Sequence, residues 1–332
     1  VGQVIAGRFE LLEHIASGAT GSIWRAVDRR RNSECAAKVL RQKDSGELLR
    51  FVREQGVQLD HPHLATPYGW AAEDDDVAIA MPLVRGGTLE SALSDHGAFS
   101  PELVATCLYQ LLDGIAHVHD AGWIHRDVKP ANILLEPTGT GRPHLRLGDF
   151  GTALRTDDPR FTEIGFVHGT PGYVPPEALD GAAPEPSADL YAAGIVALRM
   201  LNPEAKSVDA LAEARQRITS QPLPPPLQRA ILGLTSNAPE ARIDAAQEAR
   251  RSLAEVAHRA GYTVANGEPF EVFDQLTPDD PEPTPVQSPE PPAQPTVVLP
   301  AAPTKPASKG PLIVIGAGVV LLAVALVLLL VT

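Results

Sequence analysis

The chain has 332 residues, 44% of them hydrophobic, 21% charged and only 5% aromatic. That length allows about two domains of ~150 residues, or one catalytic unit of ~250 with appendages, and the core must be built largely from Ala, Val, Leu and Ile. Against 41 Asp and Glu stand 28 Lys and Arg, a net charge of −13, which argues against the basic face that a nucleic-acid binder needs to displace counterions. Two cysteines, Cys35 and Cys107, are too few for a disulfide framework or a four-cysteine zinc site; their scarcity suits a reducing cytosol. The first fifteen residues hold no basic start followed by a long apolar run, so no secretory signal is expected there.

In chain order, residues 8–84 carry short apolar runs broken by turns: Phe9–Ile15, Ser22–Val27, Cys35–Leu40 and Val77–Met81. These predict strands. One helical stretch, Glu47–Leu59, interrupts them. After Gly87 the spacing lengthens, and Leu103, Leu108, Leu111, Leu112, Ile115 and Val118 fall on one face of a helix. Two short strands between Ile133 and Leu147 flank the turn Pro137-Thr138-Gly139-Thr140-Gly141. Leu190–Leu201 and Leu227–Ala257 predict helices, and the Pro-rich interval between Leu201 and Leu227 predicts a reduced helical region. The expectation is α+β: a small β-rich lobe over about 8–84 and a large α-rich lobe over about 85–258.

Beyond the globular part the composition changes. Twelve of the 32 prolines fall between Pro278 and Pro311, so residues 274–310 predict an extended linker that buries little apolar surface. Leu312–Val331 then runs for 20 residues without a charge. A helix of that length spans ~30 Å, the thickness of a bilayer core, so a single transmembrane helix is expected at 312–331. Lys305 and Lys309 precede it, which favours a cytoplasmic globular domain, and with only Thr332 after it essentially no extracellular domain is expected. Gly316 and Gly318 are too close together for a GxxxG dimer face.

Three segments carry chemistry. In Ile15-Ala16-Ser17-Gly18-Ala19-Thr20-Gly21-Ser22-Ile23, Gly18 and Gly21 would let backbone N–H groups approach phosphate oxygens; a glycine hairpin turn reads the same residues more simply. Lys38, inside the apolar run Cys35-Ala36-Ala37-Lys38-Val39, is either a snorkelling edge lysine or an ammonium aimed at phosphates, with Glu54 as a candidate carboxylate partner. The third segment is the most specific: His125-Arg126-Asp127-Val128-Lys129-Pro130-Ala131-Asn132, followed by Gly148-Asp149-Phe150-Gly151. Asp127 can accept a hydroxyl proton, Lys129 can neutralise a moving phosphoryl group, and Asn132 and Asp149 are hard oxygen ligands suited to Mg2+.

Those residues, in that order, resemble the eukaryotic-type Ser/Thr protein kinases, of the membrane-anchored kind found in bacteria, over about residues 8–258. The resemblance implies a two-lobed kinase fold binding ATP with Mg2+ (or Mn2+). It implies that Gly18 and Gly21 belong to the phosphate-covering loop, that Lys38 pairs with Glu54, that Asp127 is the catalytic base, and that Asn132 and Asp149 hold metal ions. Ile23, Ala36, the gatekeeper Met81 and the hinge residue Val84 would meet the nucleotide base. Lys129 is the basic residue of Ser/Thr rather than Tyr specificity. Gly169-Thr170-Pro171-Gly172-Tyr173 and Pro175-Pro176-Glu177 are similar to the substrate-docking segment; Thr170 is expected to bond near Asp127, Asp189 to brace the catalytic loop, and Arg242 to pair with Glu177.

The sequence departs from the family pattern at Ala16, where the first loop glycine is usual, at Pro82, which removes a hinge N–H donor, and at Pro175. Thr156 and Thr162, between Asp149 and Glu177, are candidate autophosphorylation sites for pairing with Arg126. The implied activity is transfer of the γ-phosphoryl of ATP to protein hydroxyls at the inner face of the membrane, with self-association for autophosphorylation left open. The alternative is a pseudokinase scaffold, which loss of Lys38, Asp127 or Asp149 would favour; all three are present. A small-molecule phosphotransferase is the third reading, and such relatives usually lack the complete activation segment.

Overall fold

The computed structural model describes residues 3–18, 21–41, 57–74, 76–156, 169–259 and 262–276. The first lobe is one antiparallel sheet of β1 (Val4–Ile5), β2 (Phe9–Gly18), β3 (Gly21–Asp28), β4 (Ser33–Arg41), β5 (Gly69–Glu73) and β6 (Asp76–Met81), in the order β1-β2-β3-β4-β6-β5. All four expected strands are present and slightly longer. The domain therefore begins before residue 8: β1 pairs with Phe9 and Glu10 and buries Ile5. Neither β1 nor β5 carries the alternation that marks a strand. The first has two residues, and the second (Gly-Trp-Ala-Ala-Glu) is a mostly exposed edge.

Register divides this sheet into two faces, because successive strand residues point opposite ways. Ile5, Phe9, Leu11, Ala26, Cys35, Ala37, Val39, Ala78 and Ala80 bury one face. Opposite, Ile23 pairs with Lys38 and Lys38 with Ile79, while Ala36 pairs with Met81. Those residues share a face with Leu40 and Val77, and Leu83 packs against it. Arg8 fastens the start of the lobe, its Nη2 and Nε donating to the fully buried Asp28 at 2.8 and 3.1 Å. This pairing holds the Asp28 carboxyl below its usual range against the opposing effect of burial.

Of the helix expected over 47–59, residues 47–56 lie outside the described residues; Val57 to Leu59 are not helical. Val57 instead enters the core of the second lobe.

The second lobe contains α1 (Leu89–His96), α2 (Pro101–Asp120), α3 (Pro176–Leu179), α4 (Pro186–Leu201), α5 (Val208–Arg217), α6 (Pro225–Leu234) and α7 (Pro239–Arg259). Two short strand pairs support the site: β7 (Trp123–Ile124) with β10 (Leu154–Arg155), and the hairpin of β8 (Ile133–Leu135) with β9 (Leu145–Leu147). The helix starts follow local chemistry. Thr88 forms a reciprocal capping box with Ser91, and Ser100 accepts from the Leu103 N–H ahead of Pro101. Helix α2 buries the expected leucine face in the core. The stretch expected as one helix over 227–257 is two, separated at 235–238 where Pro239 opens a new first turn. The region expected to be reduced holds the ten-residue α5, capped by Ser207 on the Ala210 N–H.

The packed domain also runs past the expected end at 258. Val264, Phe270 and Val272 are buried, and Asp274 to Leu276, expected to open the linker, belong to this packed segment. All described residues belong to one compact unit, Val1–Pro278. The remainder of the expected linker and the apolar stretch 312–331 lie outside the described residues; among the described residues no helix is long and apolar enough to cross a membrane.

Candidate active site

The site assembles around a buried carboxylate. Asp189, in the first turn of α4, is 1% exposed and accepts hydrogen bonds from the His125 N–H (2.8 Å), the Arg126 N–H (2.8 Å) and His119 Nε2 (2.8 Å). Burial pushes its pKa up, but His119 and the loop amides outweigh that and hold it below the usual carboxylate range. This brace keeps Arg126 at φ 68, a left-handed conformation costly for a non-glycine residue. His125 is fully buried with its tautomer set by its partners. Its Nε2 donates to the Gly148 carbonyl at 3.0 Å, and its Nδ1 accepts from the Asp127 N–H at 3.3 Å. Its ring meets Phe150 edge-on at 4.7 Å.

On that support stands Asp127. Its Oδ1 accepts from Thr170 Oγ1 at 2.9 Å, and its Oδ2 accepts from Lys129 Nζ at 2.7 Å and Asn132 Nδ2 at 3.0 Å. Lys129 also donates to Thr170 at 3.0 Å. The carboxylate is thus fixed in orientation by three side chains, including the threonine of the docking segment.

The β8–β9 hairpin brings the two proposed oxygen ligands together. Ile133 pairs with Leu147, and the Gly148 N–H donates to the Asn132 carbonyl at 2.8 Å, so Asp149 is the next residue along. Asn132 spends its amide N–H group on Asp127, which leaves its side-chain oxygen turned to acceptor duty. Asp149 is left-handed at φ 59 and half-exposed, and its Oδ1 receives Lys38 Nζ at 2.9 Å. Burial raises the Asp149 pKa, but the Lys38 ammonium dominates with smaller help and holds it below the usual range. Lys38 itself is 8% exposed on β4. This ion pair joins the two lobes.

Above it lies the apolar face of the small sheet: Ile23, Ala36 and Met81, with Leu83 of the hinge. Val84 follows, half-buried. Gly18 and Gly21 are opposite each other at the end of the β2–β3 ribbon. Gly21 sits at φ 143, and a Cβ there would meet the Val39 carbonyl oxygen at 2.4 Å; the close approach of β4 demands glycine. Farther from the cleft, Arg242 is fully buried and donates from both Nη atoms to Glu177, at 2.5 and 2.9 Å.

The structure thus brings Lys38 to Asp149 and gathers Lys129, Asn132 and Thr170 on Asp127, while the Arg242–Glu177 pair and Thr156 lie apart from them. Thr156 is exposed after β10, its hydroxyl donating to the Gly122 carbonyl at 3.3 Å. Glu54 and Thr162 lie outside the described residues. Sequence reasoning missed His119 and the direct Lys38–Asp149 contact. A lone histidine at the end of α2 carries no sequence signal that it will find an aspartate 70 positions away.

The donor set fits Mg2+ with a nucleoside triphosphate. Among the described residues no three His, Cys, Asp or Glu side chains form a complete metal cage. An Asn–Asp pair supplies hard oxygens and leaves other coordination positions to phosphate and water, as Mg2+ prefers.

This two-lobed α+β arrangement is that of a protein kinase domain. The protein kinase domain family matches residues 9–238, and the chain belongs to that family. The chain is similar to the serine/threonine-protein kinase PkaA of Streptomyces coelicolor, with 32% identity over 280 residues, covering 77% of this chain and 51% of that protein. To PknA of Mycobacterium tuberculosis it is 34% identical over 206 residues, 59% of this chain and 47% of the relative. To PrkC of Bacillus subtilis it is 32% identical, over 60% of this chain and 31% of the relative. The chain thus spans about half, or less, of the length of these curated relatives.

Proposed function

We propose that this chain transfers the γ-phosphoryl group of ATP to serine or threonine hydroxyls of proteins. The observation that carries the reading is the pair of preset carboxylates: Asp127 oriented by Lys129, Asn132 and Thr170, and Asp149 joined to Lys38 across the cleft. Ile23, Ala36, Met81 and Leu83 offer an apolar slot for the base. Lys38 would contact the phosphates, and Asn132 and Asp149 would hold Mg2+, which supplies neutralisation of phosphate charge. Asp127 orients the acceptor hydroxyl and takes its proton, and Lys129 offsets negative charge beside it. Lys129 and the bacterial Ser/Thr kinase relatives support a Ser/Thr acceptor.

We further propose that 312–331 anchors the domain at the cytoplasmic face of a membrane through the Pro-rich linker, and that the chain phosphorylates itself at Thr156 or Thr162. The charge-free run of 20 residues supports the first. The position of both threonines between Asp149 and Glu177 supports the second.

The test is transfer of labelled phosphate from ATP to protein. Asp149→Asn and Asp127→Asn should each lower the rate at least ~100-fold, comparable with losing a preorganised charge-stabilising group. Wild type as inert as Asp149→Asn would leave a nucleotide-binding scaffold. Peptide mass spectrometry of the active protein should find phosphate within residues 152–170.

A further inference from the structure

After α7 the chain turns back across the large lobe in three anchored steps. Ala265 N–H donates to the Ala98 carbonyl at 2.8 Å, and Phe270 packs on Phe99 at 4.9 Å. Val272 exchanges two backbone hydrogen bonds with Gly139, both 3.0 Å. Gln275 N–H then donates to the Arg85 carbonyl at 2.8 Å, next to the hinge. Two glycines beside the hinge lie against this segment, Gly86 being also close to the Leu135 carbonyl oxygen. A Cβ on Gly86 would lie 2.4 Å from Val272 Cγ1, and one on Gly87, at φ 78, would lie 2.5 Å from Gln275 Oε1.

At this end the Arg85 guanidinium joins three parts of the molecule. Its Nη1 meets Asp274 Oδ2 at 2.9 Å, and its Nη2 meets Glu34. Glu34 belongs to β4, on the same face as Ala36 and Lys38, two and four residues further along. The arginine thus ties β4 of the small lobe to the segment that closes the large one.

We propose that residues 262–276 are a strap on the hinge, and that Arg85 is the positioning residue through which the strap sets the cleft and the placement of β4 with its lysine. The effect on nucleotide binding rests on reading the cleft as an ATP site; the coupling of strap to hinge does not. The relevant comparison is between full-length wild type, Arg85→Met, Asp274→Asn and the double variant, with Arg251→Gln on exposed α7 as control. Asp274→Asn keeps the shape of the strap, so folding is retained. Two readouts apply: amide hydrogen exchange at residues 83–87 without nucleotide, and the KM for ATP against kcat.

Hinge exchange should quicken in Arg85→Met and Asp274→Asn, and the KM for ATP should rise about 3–10-fold with kcat changed less. The double variant should be no worse than Arg85→Met, because both changes break the same contact. Unchanged hinge exchange in both single variants overturns the proposal. So does a lowered melting temperature with hinge exchange and KM unmoved, since the strap would then only add stability. Quickened exchange in a wild-type background that transfers no phosphate supports the coupling and removes the kinase reading instead.

Discussion

At the scale of single residues, function rests on side chains held where they would not go alone. Arg126 and Asp149 both adopt left-handed backbone. Asp189 over-determines the first through two amides and a histidine, and Lys38 holds the second. A related dependence concerns protons. His63 donates from Nδ1 to the Leu145 carbonyl at 3.0 Å, with His61 and His144 beside it and Asp113 beyond His61. Burial, opposed by that hydrogen bond, pushes its pKa down to about 4. Below its ordinary value of 6.5 the unfolded imidazole takes up a proton while the folded ring stays neutral. The unfolded state then binds more protons, so stability is full above pH 6.5 and is lost as the pH falls from there toward 4. His63→Asn keeps a donor for Leu145 without a titrating ring. Its melting temperature should fall less steeply across that window than that of wild type. His61, whose pKa is also lowered chiefly by burial, leaves a residual slope.

At the scale of elements, legibility followed periodicity. Helix α2 was readable because its leucines recur at helical spacing and Ser100-Pro101 marks its start. The four main strands were readable because apolar runs of five to seven residues stand between turns. Strands β1 and β5 were not, since the first has two residues and the second is a mostly exposed edge without alternation, and the strap was not, since its partners Ala98, Gly139 and Arg85 are distant in sequence. The division of α6 from α7 depended on Pro239, whose first-turn role a continuous apolar reading overlooked. The packing of these two helices makes a prediction. A Cβ on Gly233 of α6 would lie 2.5 Å from Ala245 Cβ of α7. Gly233→Val forces the helices apart and should cost about 1–3 kcal/mol, the range for overpacking, in denaturant titration. Nucleotide affinity should stay unchanged, because the contact lies in the helices of the large lobe away from the cleft.

At the scale of the whole molecule, the folded unit is larger than its motif-bearing part. The family match ends at 238, yet α7 continues to Arg259 and the strap to Leu276. A chain ending at residue 261 loses Val264, Phe270 and Val272, each at most 4% exposed. A fully buried side chain of this kind is worth about 1.5–3 kcal/mol, partly offset by the entropy of ordering the strap. Such a chain should melt several degrees below one ending at 276, at about 2–4 °C per kcal/mol, in a thermal scan. The sequence by itself made the candidate site legible: Lys38, Asp127, Asn132 and Asp149 stand in segments that resemble the kinase motifs, and a motif is a local string. What only the tertiary structure decided is how they are aimed: the Asp189–His119 brace, the Lys38–Asp149 contact over 111 positions, and the strap on Arg85. Each is a meeting of residues far apart in the chain, and no local pattern of side chains encodes which distant partner a folded surface will bring near.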